Sequence, residues 1–231
     1  MRSITLVVMS LTVVAILSCT AVALAAVITG TEGDNTLSGT TGDDIINALS
    51  GDDAVAALGG DDRVDGGSGD DVLYGDGDCL TDPQSPVYCI PPSGKPGNDR
   101  IIGGSGQDVI KGNLGNDRID SQGGDDDAHG GGGNDRIGTG SGDDFLSGGR
   151  GKDSLAGGGG DDMFWGGSGA DRITPGGGQD TVHGDRGDDT VFAAGDGVRD
   201  RIVCGGGFDT VIAHRNDRIS KSCERVRYVP L

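Results

Sequence analysis

A nine-residue period constrains this chain more than any other feature. From Gly103 to Phe192 the sequence divides into consecutive blocks: GGSGQDVIK, GNLGNDRID, SQGGDDDAH, GGGGNDRIG, TGSGDDFLS, GGRGKDSLA, GGGGDDMFW, GGSGADRIT, PGGGQDTVH and GDRGDDTVF. The frame reaches back through GKPGNDRII, which starts at Gly94. An earlier run from Gly30 to Tyr74 adds GTEGDNTLS, GTTGDDIIN, ALSGDDAVA, ALGGDDRVD and GGSGDDVLY. In all sixteen blocks position four is Gly and position eight is apolar, while position six is Asp except at Asn35. Self-similarity at a short fixed period is the mark of a stacked array, in which each unit contacts only its neighbours.

The columns dictate the local structure. The last three positions of a block suit a short strand with one inward side chain, because side chains alternate across a strand. One inward Leu, Ile or Val per block cannot form a core alone, so neighbouring blocks must stack and share it. The first six positions are read as the turn, where Gly permits a left-handed backbone and close approach of successive chains. Composition then sets a condition: hydrophobic residues are 33 %, aromatics 3 %, and the formal charge is −19. Such values ordinarily describe a disordered chain. A disordered polymer, however, has no reason to hold an apolar residue in phase with a carboxylate through sixteen copies. A cation that neutralises the aspartates resolves the conflict. Calcium takes six to eight oxygens from carboxylates and backbone carbonyls, which these turns supply; magnesium demands stricter octahedral geometry. Soft metals would need thiolate or imidazole. The acidic balance argues against nucleic acid as a partner.

These blocks resemble the G-G-x-G-x-D-x-U-x nonapeptide of the RTX, or haemolysin-type, calcium-binding repeat family. The resemblance implies an all-β fold, a right-handed parallel β-roll (a β-solenoid) of nine-residue half-coils, two blocks to a coil, with a disulfide-bracketed C-terminal cap. Each calcium would lie between a block and the next but one. Asp99, Asp117, Asp135, Asp153, Asp171 and Asp189 would then form one column of ligands, and Asp108, Asp126, Asp144, Asp162 and Asp180 the other. Asp44, Asp53, Asp62 and Asp71 carry the pattern into the earlier run. The blocks opening at Ala48 and Ala57 replace two glycines with Ala-Leu, which puts left-handed turn geometry in doubt there, and Asn35 offers only a neutral oxygen. Weaker N-terminal sites are expected. Roughly ten good calcium sites would about neutralise the chain.

Residues 1–25 read as a signal peptide: Arg2, an apolar stretch from Ile4 to Leu17, and small residues before a cleavage point after Ala25. Secretion follows, with lipid anchoring through Cys19 as a lesser alternative and no stable membrane span. Cys79, Cys89, Cys204 and Cys223 remain, an even number that suggests disulfides in an exported chain. Three pairings are open, of which Cys79 with Cys89 and Cys204 with Cys223 are favoured because each brackets a non-repetitive segment. The scattered histidines and absence of CxxC count against zinc. The expected organisation is a roll over 26–192, a stapled excursion at about 78–96, and degenerate repeats with a cap over 193–231. Two separate domains flanking the excursion are the competing arrangement.

No catalytic set is legible: there is no HExxH, and no Ser/His/Asp or Cys/His set outside the repeats. Adjacent acids such as Asp143-Asp144 repeat in phase and read as turn residues rather than a hydrolytic pair. His129 and His183 fall at position nine, an outward strand position. Phe145, Met163 and Trp165 should cluster outside one sheet, where they could meet a surface glycan or a protein. Arg100, Arg118, Arg136 and Arg172 should stripe the other face and balance nearby carboxylates. Three roles remain: a structural or interaction protein folded by calcium, a calcium-dependent adhesion or surface module, and the non-catalytic partner of a secreted enzyme.

Overall fold

The computed structural model describes residues 25–76 and 96–230. Nearly all of the expected signal peptide with Cys19, and the excursion with Cys79 and Cys89, lie outside the described residues. Each block contributes one strand, and successive strands alternate between two all-parallel sheets, one of eleven strands and one of ten. Every strand pairs with the strand two further along the chain, so Phe145 lies beside Met163 and Arg136 beside Ser154. The result is a parallel β-solenoid of about ten coils, with no helix among the described residues.

The strands are longer than the sequence suggests. Most run six residues, as in Arg136–Ser141 and Phe145–Arg150, and so take in the first three positions of the following block. Two side chains per strand therefore point inward, one from position eight and one from position one. In Arg136–Ser141 these are Ile137 and Thr139, both buried. Only positions four to six are left for the turn. The physical reason lies in the aspartate. A Cβ added at position one, for example at Gly103, would meet the Oδ2 of Asp108 in its own block and the backbone oxygen of Ser121 in the next coil. The first glycine is thus an extended, inward residue over which the carboxylate folds.

Between the sheets the position-eight residues form a one-layer core. Val64, Ile101, Ile137 and Leu155 line the larger sheet, and Leu73, Ile110, Leu146 and Phe164 the smaller, all fully buried. At about 1.5–3 kcal/mol per buried aliphatic or aromatic side chain, this layer favours stacking, and only small groups such as Ala48, Ala57, Ala193, Ala213 and Cys204 add to it.

The coil continues across the excursion. Arg63 pairs with Arg100 and Val72 with Val109, so the strands before and after residues 77–95 are neighbours in both sheets. Leu49 and Leu58, the second residues of the Ala-Leu blocks, have φ of 86° and 87°. The left-handed turn geometry that their side chains placed in doubt is therefore present, against the steric preference of a branched residue. The surrounding coils impose it, because Gly67, the equivalent residue of the coil that follows Leu49, has φ of 105°.

At the C-terminus the last strand, Arg225–Tyr228, pairs with Thr210–Ala213. A disulfide joins Cys204 to Cys223, separated by 19 residues, and confirms the favoured pairing there. Cys204 is wholly buried, so the bridge pins the final turn to the core. Replacing both cysteines by Ala is expected to cost about 3 kcal/mol, the loop-entropy value for a loop of this length. Thermal unfolding in calcium checks this, and the loss should appear first as amide exchange in residues 214–230.

Candidate metal sites

The position-six aspartates are among the most buried charged residues described. From Asp44 to Asp189 each of the fifteen named from the sequence is at most 3 % exposed. The structure brings them into two columns along the two edges of the roll, linked by one repeated bond. The backbone N–H of each aspartate donates to Oδ1 of the aspartate one coil later: Asp99 to Asp117 at 2.8 Å, Asp117 to Asp135 at 2.8 Å, Asp126 to Asp144 at 2.8 Å. The bond spans the excursion too, from Asp62 to Asp99 at 2.9 Å and from Asp71 to Asp108 at 2.9 Å.

Only half of each carboxylate is satisfied this way. Fifteen Oδ2 atoms, from Asp53 to Asp209, are buried without a hydrogen-bond partner. Those beside a glycine face it and a carbonyl of the next coil, as Asp108 Oδ2 faces Gly103 and the oxygen of Ser121, and Asp99 Oδ2 faces Gly75 and the oxygen of Gly112. At these positions acceptors converge with no donor among them, whereas Ser121 and Thr139 place hydroxyls beside Asp126 and Asp144. Buried polar atoms are nearly always paired, so a column of orphaned anionic oxygens calls for a cation. Among the described residues no three His, Cys, Asp or Glu side chains converge on one point. Backbone carbonyls must complete any site, which suits a hard cation with many oxygens and excludes a thiolate or imidazole metal.

Burial raises these carboxyls: Asp99 to about 8, Asp62, Asp108, Asp117 and Asp171 to about 7, and Asp135 and Asp180 to about 6. The cause is chiefly the loss of water around the charge. The N–H on Oδ1 opposes it, and for most of them neighbouring aspartates add to the rise. The site is electrostatically frustrated without a counter-ion.

Asp44 is different. Its carboxylate already receives the N–H and hydroxyl of Thr40 as well as the N–H of Ala26, so it is not among the orphans. At the other end Asp209, in the degenerate repeats beyond the sixteen blocks, is an orphan as well. The columns close on the cap: Asp200 N–H donates to Asp217 Oδ1 at 3.1 Å and Asp209 N–H to Glu224 Oε2 at 2.8 Å.

A second ladder, at position five, was also missed. Here the later coil donates to the earlier one: Asp70 N–H to Asp52 Oδ1 at 3.0 Å, Asn134 to Asn116 at 2.8 Å, Lys152 to Asn134 at 2.8 Å, Asp161 to Asp143 at 2.8 Å. The signal was available, since position five is Asp or Asn in most blocks. These exposed side chains tie turn to turn while position six is held inside.

On the outer faces the expectations fare unevenly. Phe145 and Trp165 do meet, with ring centroids 4.9 Å apart, and Met163 beside Phe145 is 43 % exposed. The arginine stripe is in register across Arg63, Arg100, Arg118 and Arg136. Among the described residues only Arg63 has a carboxylate within ion-pairing distance, Asp65 at 4.0 Å. Arg172 lies over the ring of Phe192, 4.0 Å from its centroid.

Comparison with known families agrees with this geometry. The description "RTX calcium-binding nonapeptide repeat (4 copies)" matches residues 29–64, 50–78, 93–128, 112–146, 122–155, 129–164, 138–173, 165–197 and 174–211. No curated protein matches the chain.

Proposed function

The chain belongs to the RTX calcium-binding nonapeptide repeat family, and from that premise we propose that it is an extracellular protein whose folding is driven by calcium held between its stacked turns. The observation that carries this reading is the set of fifteen buried, unpartnered Oδ2 atoms. Asp53, Asp62, Asp71, Asp99, Asp108, Asp117, Asp126, Asp135, Asp144, Asp153, Asp162, Asp171, Asp180 and Asp189 would supply carboxylate oxygens, joined by Asp209. Asp44 is the weakest member of the set, because Thr40 and Ala26 already occupy its oxygens. When bound, calcium neutralises facing carboxylates and bridges them to the carbonyls of adjacent coils.

The remaining organisation follows. Residues 1–25 act as the export signal, the roll forms outside the cell, and the Cys204–Cys223 bridge suits an oxidising compartment. The role is structural or adhesive rather than catalytic, since the chemistry along the roll is ligation repeated in phase. Roughly ten ions per chain is the expected load, in the weak affinity range of extracellular modules, ~10⁻⁴–10⁻³ M.

Calorimetric titration of decalcified protein tests the assignment. Calcium should bind with a stoichiometry on the order of ten and magnesium far more weakly. Asp153→Asn removes one anionic ligand from the middle of a column and should lower the stoichiometry by one or two while raising the calcium midpoint. Unchanged stoichiometry and midpoint in that variant, or equal binding of magnesium, overturns the assignment.

A further inference from the structure

Along the smaller sheet the outward position-seven residues run Val72, Val109, Asp127, Phe145, Met163 and Thr181, and arginine enters only at Arg201 and Arg218. Register places Arg201 beside Thr181 and Arg218 beside Arg201, about 4.8 Å apart across the sheet. Like charges directly opposite each other on neighbouring strands destabilise a sheet. Among the described residues no carboxylate lies within ion-pairing distance of either side chain, and neither stacks on an aromatic ring.

A third guanidinium joins them where the repeat breaks. The turn before Arg201 is longer than the rule: the bond from Asp180 to Asp200 spans 20 residues, and that from Asp162 to Asp180 spans 18. The added length is held from both neighbouring coils. Asp196 accepts the N–H groups of Gly178 at 2.8 Å and Val198 at 3.0 Å, and Asn216 donates to the oxygen of Gly197 at 2.8 Å. The turn ends at Arg199, which is exposed and has no ion-pair partner among the described residues. Arg199, Arg201 and Arg218 line one recess of about 210 Å³, with Gln179 and Thr181 beside them. Asp180 and Asp200 line it too, but they are 1 % and 2 % exposed and belong to the position-six column. Calcium held there neutralises them and leaves three unopposed cations at the rim, and in this respect the inference rests on the calcium reading.

We infer that this recess binds a tetrahedral oxyanion, the terminal group of a phosphate or sulfate ester. Its volume is that of about seven waters at ~30 Å³ each. That is room for such a group, and less than the ~300 Å³ or more of a pocket for a drug-sized ligand. Guanidinium forks make paired, charge-assisted hydrogen bonds to anionic oxygens. Three forks ask for more acceptors than the two oxygens of a carboxylate offer. A terminal phosphate or sulfate has three free oxygens, one for each guanidinium, and the Thr181 hydroxyl and Gln179 amide add neutral donors. An internal phosphodiester has two free oxygens and a single charge, so it fills the set less well.

Fold and calcium stoichiometry are first measured on the full chain in saturating calcium chloride, which reports on the calcium reading separately. The same sample is then titrated calorimetrically with glucose 1-phosphate, sodium sulfate and acetate. It is also sedimented with phosphatidylcholine vesicles, with and without phosphatidic acid. The expected result is binding of glucose 1-phosphate or sulfate at a single site, with acetate at least about tenfold weaker. Arg199→Gln and Arg218→Gln should each weaken that binding about tenfold or more, since a charge-assisted bond is lost. Both side chains are exposed, so both variants should keep the parent's circular dichroism in calcium. Arg136→Gln, on the larger sheet, should bind as the parent does. Sedimentation with phosphatidic acid that Arg199→Gln abolishes assigns the ester to a lipid headgroup; binding of the free anion without such sedimentation assigns it to a soluble or polymer-borne ester. A folded, calcium-loaded chain that binds neither free oxyanion, that binds acetate equally well, or that keeps parental affinity in both arginine variants overturns the inference.

Discussion

In excess chelator at about pH 8 the chain is expected to lose its β-sheet circular dichroism, and to regain it in two ways: by adding calcium, or by lowering the pH to about 4. The argument is one of magnitude. A buried carboxylate without a counter-ion costs several kcal/mol even after relaxation, and fifteen Oδ2 atoms are buried here without a partner. The net stability of a domain is only about 5–15 kcal/mol. A one-layer core is not expected to carry that load, so under the proposed reading the fold should form only when the carboxylates are neutralised. Calcium does so by ligation, and its binding free energy becomes folding free energy. Magnesium, with its stricter geometry, should restore the signal poorly.

Protons should do the same, with a defined sign. These carboxyls are raised in the folded chain, Asp99 to about 8, Asp117 and Asp189 to about 7, Asp71 to about 6. A raised carboxyl binds its proton more tightly in the folded state than in the unfolded one. Its contribution to stability is therefore fully present below the unfolded value near 4 and is lost as the pH rises through 6 to 8. The calcium-free chain should accordingly fold in acid and expand across that window, opposite to the usual acid denaturation. The same protons compete with calcium, so apparent calcium affinity should fall as the pH drops below about 7. Circular dichroism against pH in chelator, with light scattering to separate folding from precipitation, checks both. A β-rich spectrum at pH 8 that chelation leaves unchanged would falsify calcium-coupled folding.

The period made most of this legible. A residue's place in a block determines whether it faces the core, the edge or the solvent, because the pleat alternates and coils stack in register. Ile137 in the core, Asp135 in a column and Phe145 outside could be placed by counting alone. What counting could not supply was the division of labour within one side chain. That Oδ1 of Asp135 accepts the N–H of Asp117 while Oδ2 is left for a cation depends on the offset between coils, which no single block encodes. The same holds for the inward turn of Gly103, for the ladder through Asn116 and Asn134, and for Leu58 adopting φ of 87° against its own preference. Asp209 lies where the blocks lengthen near the C-terminus: the bond from Asp189 to Asp209 spans 20 residues where 18 is the rule. Stacking tolerates that irregularity, but a strict repeat count does not.

Stacking also makes the position-four glycine the most sensitive apolar site in the roll, and Gly169→Ala is expected to cost about 3 kcal/mol or more. Gly169 has φ of 139°, a conformation that L side chains rarely adopt, and the strain alone is about 1–2 kcal/mol. A Cβ there would also run into the backbone oxygen of Gly151 in the preceding coil. Backbone cannot yield as a side-chain tip can, so the coils must separate, at about 1–3 kcal/mol for overpacking. Separation would stretch the bonds from Gly151 to Ser168 and from Gly169 to Arg186, 2.7 Å and 2.8 Å. It would also widen the gap in which Asp171 faces the coils on either side, so the calcium midpoint of folding should rise along with the loss of thermal stability. Gly138 is the control. It lies on the outer face of Arg136–Ser141 outside the left-handed region, and a Cβ there meets nothing within 4 Å. Gly138→Ala should instead be neutral or stabilise by about 0.5–1 kcal/mol, by restricting the unfolded chain. Equal effects of the two substitutions would mean that the coils are not packed backbone against backbone, and that the glycine column serves flexibility rather than close approach.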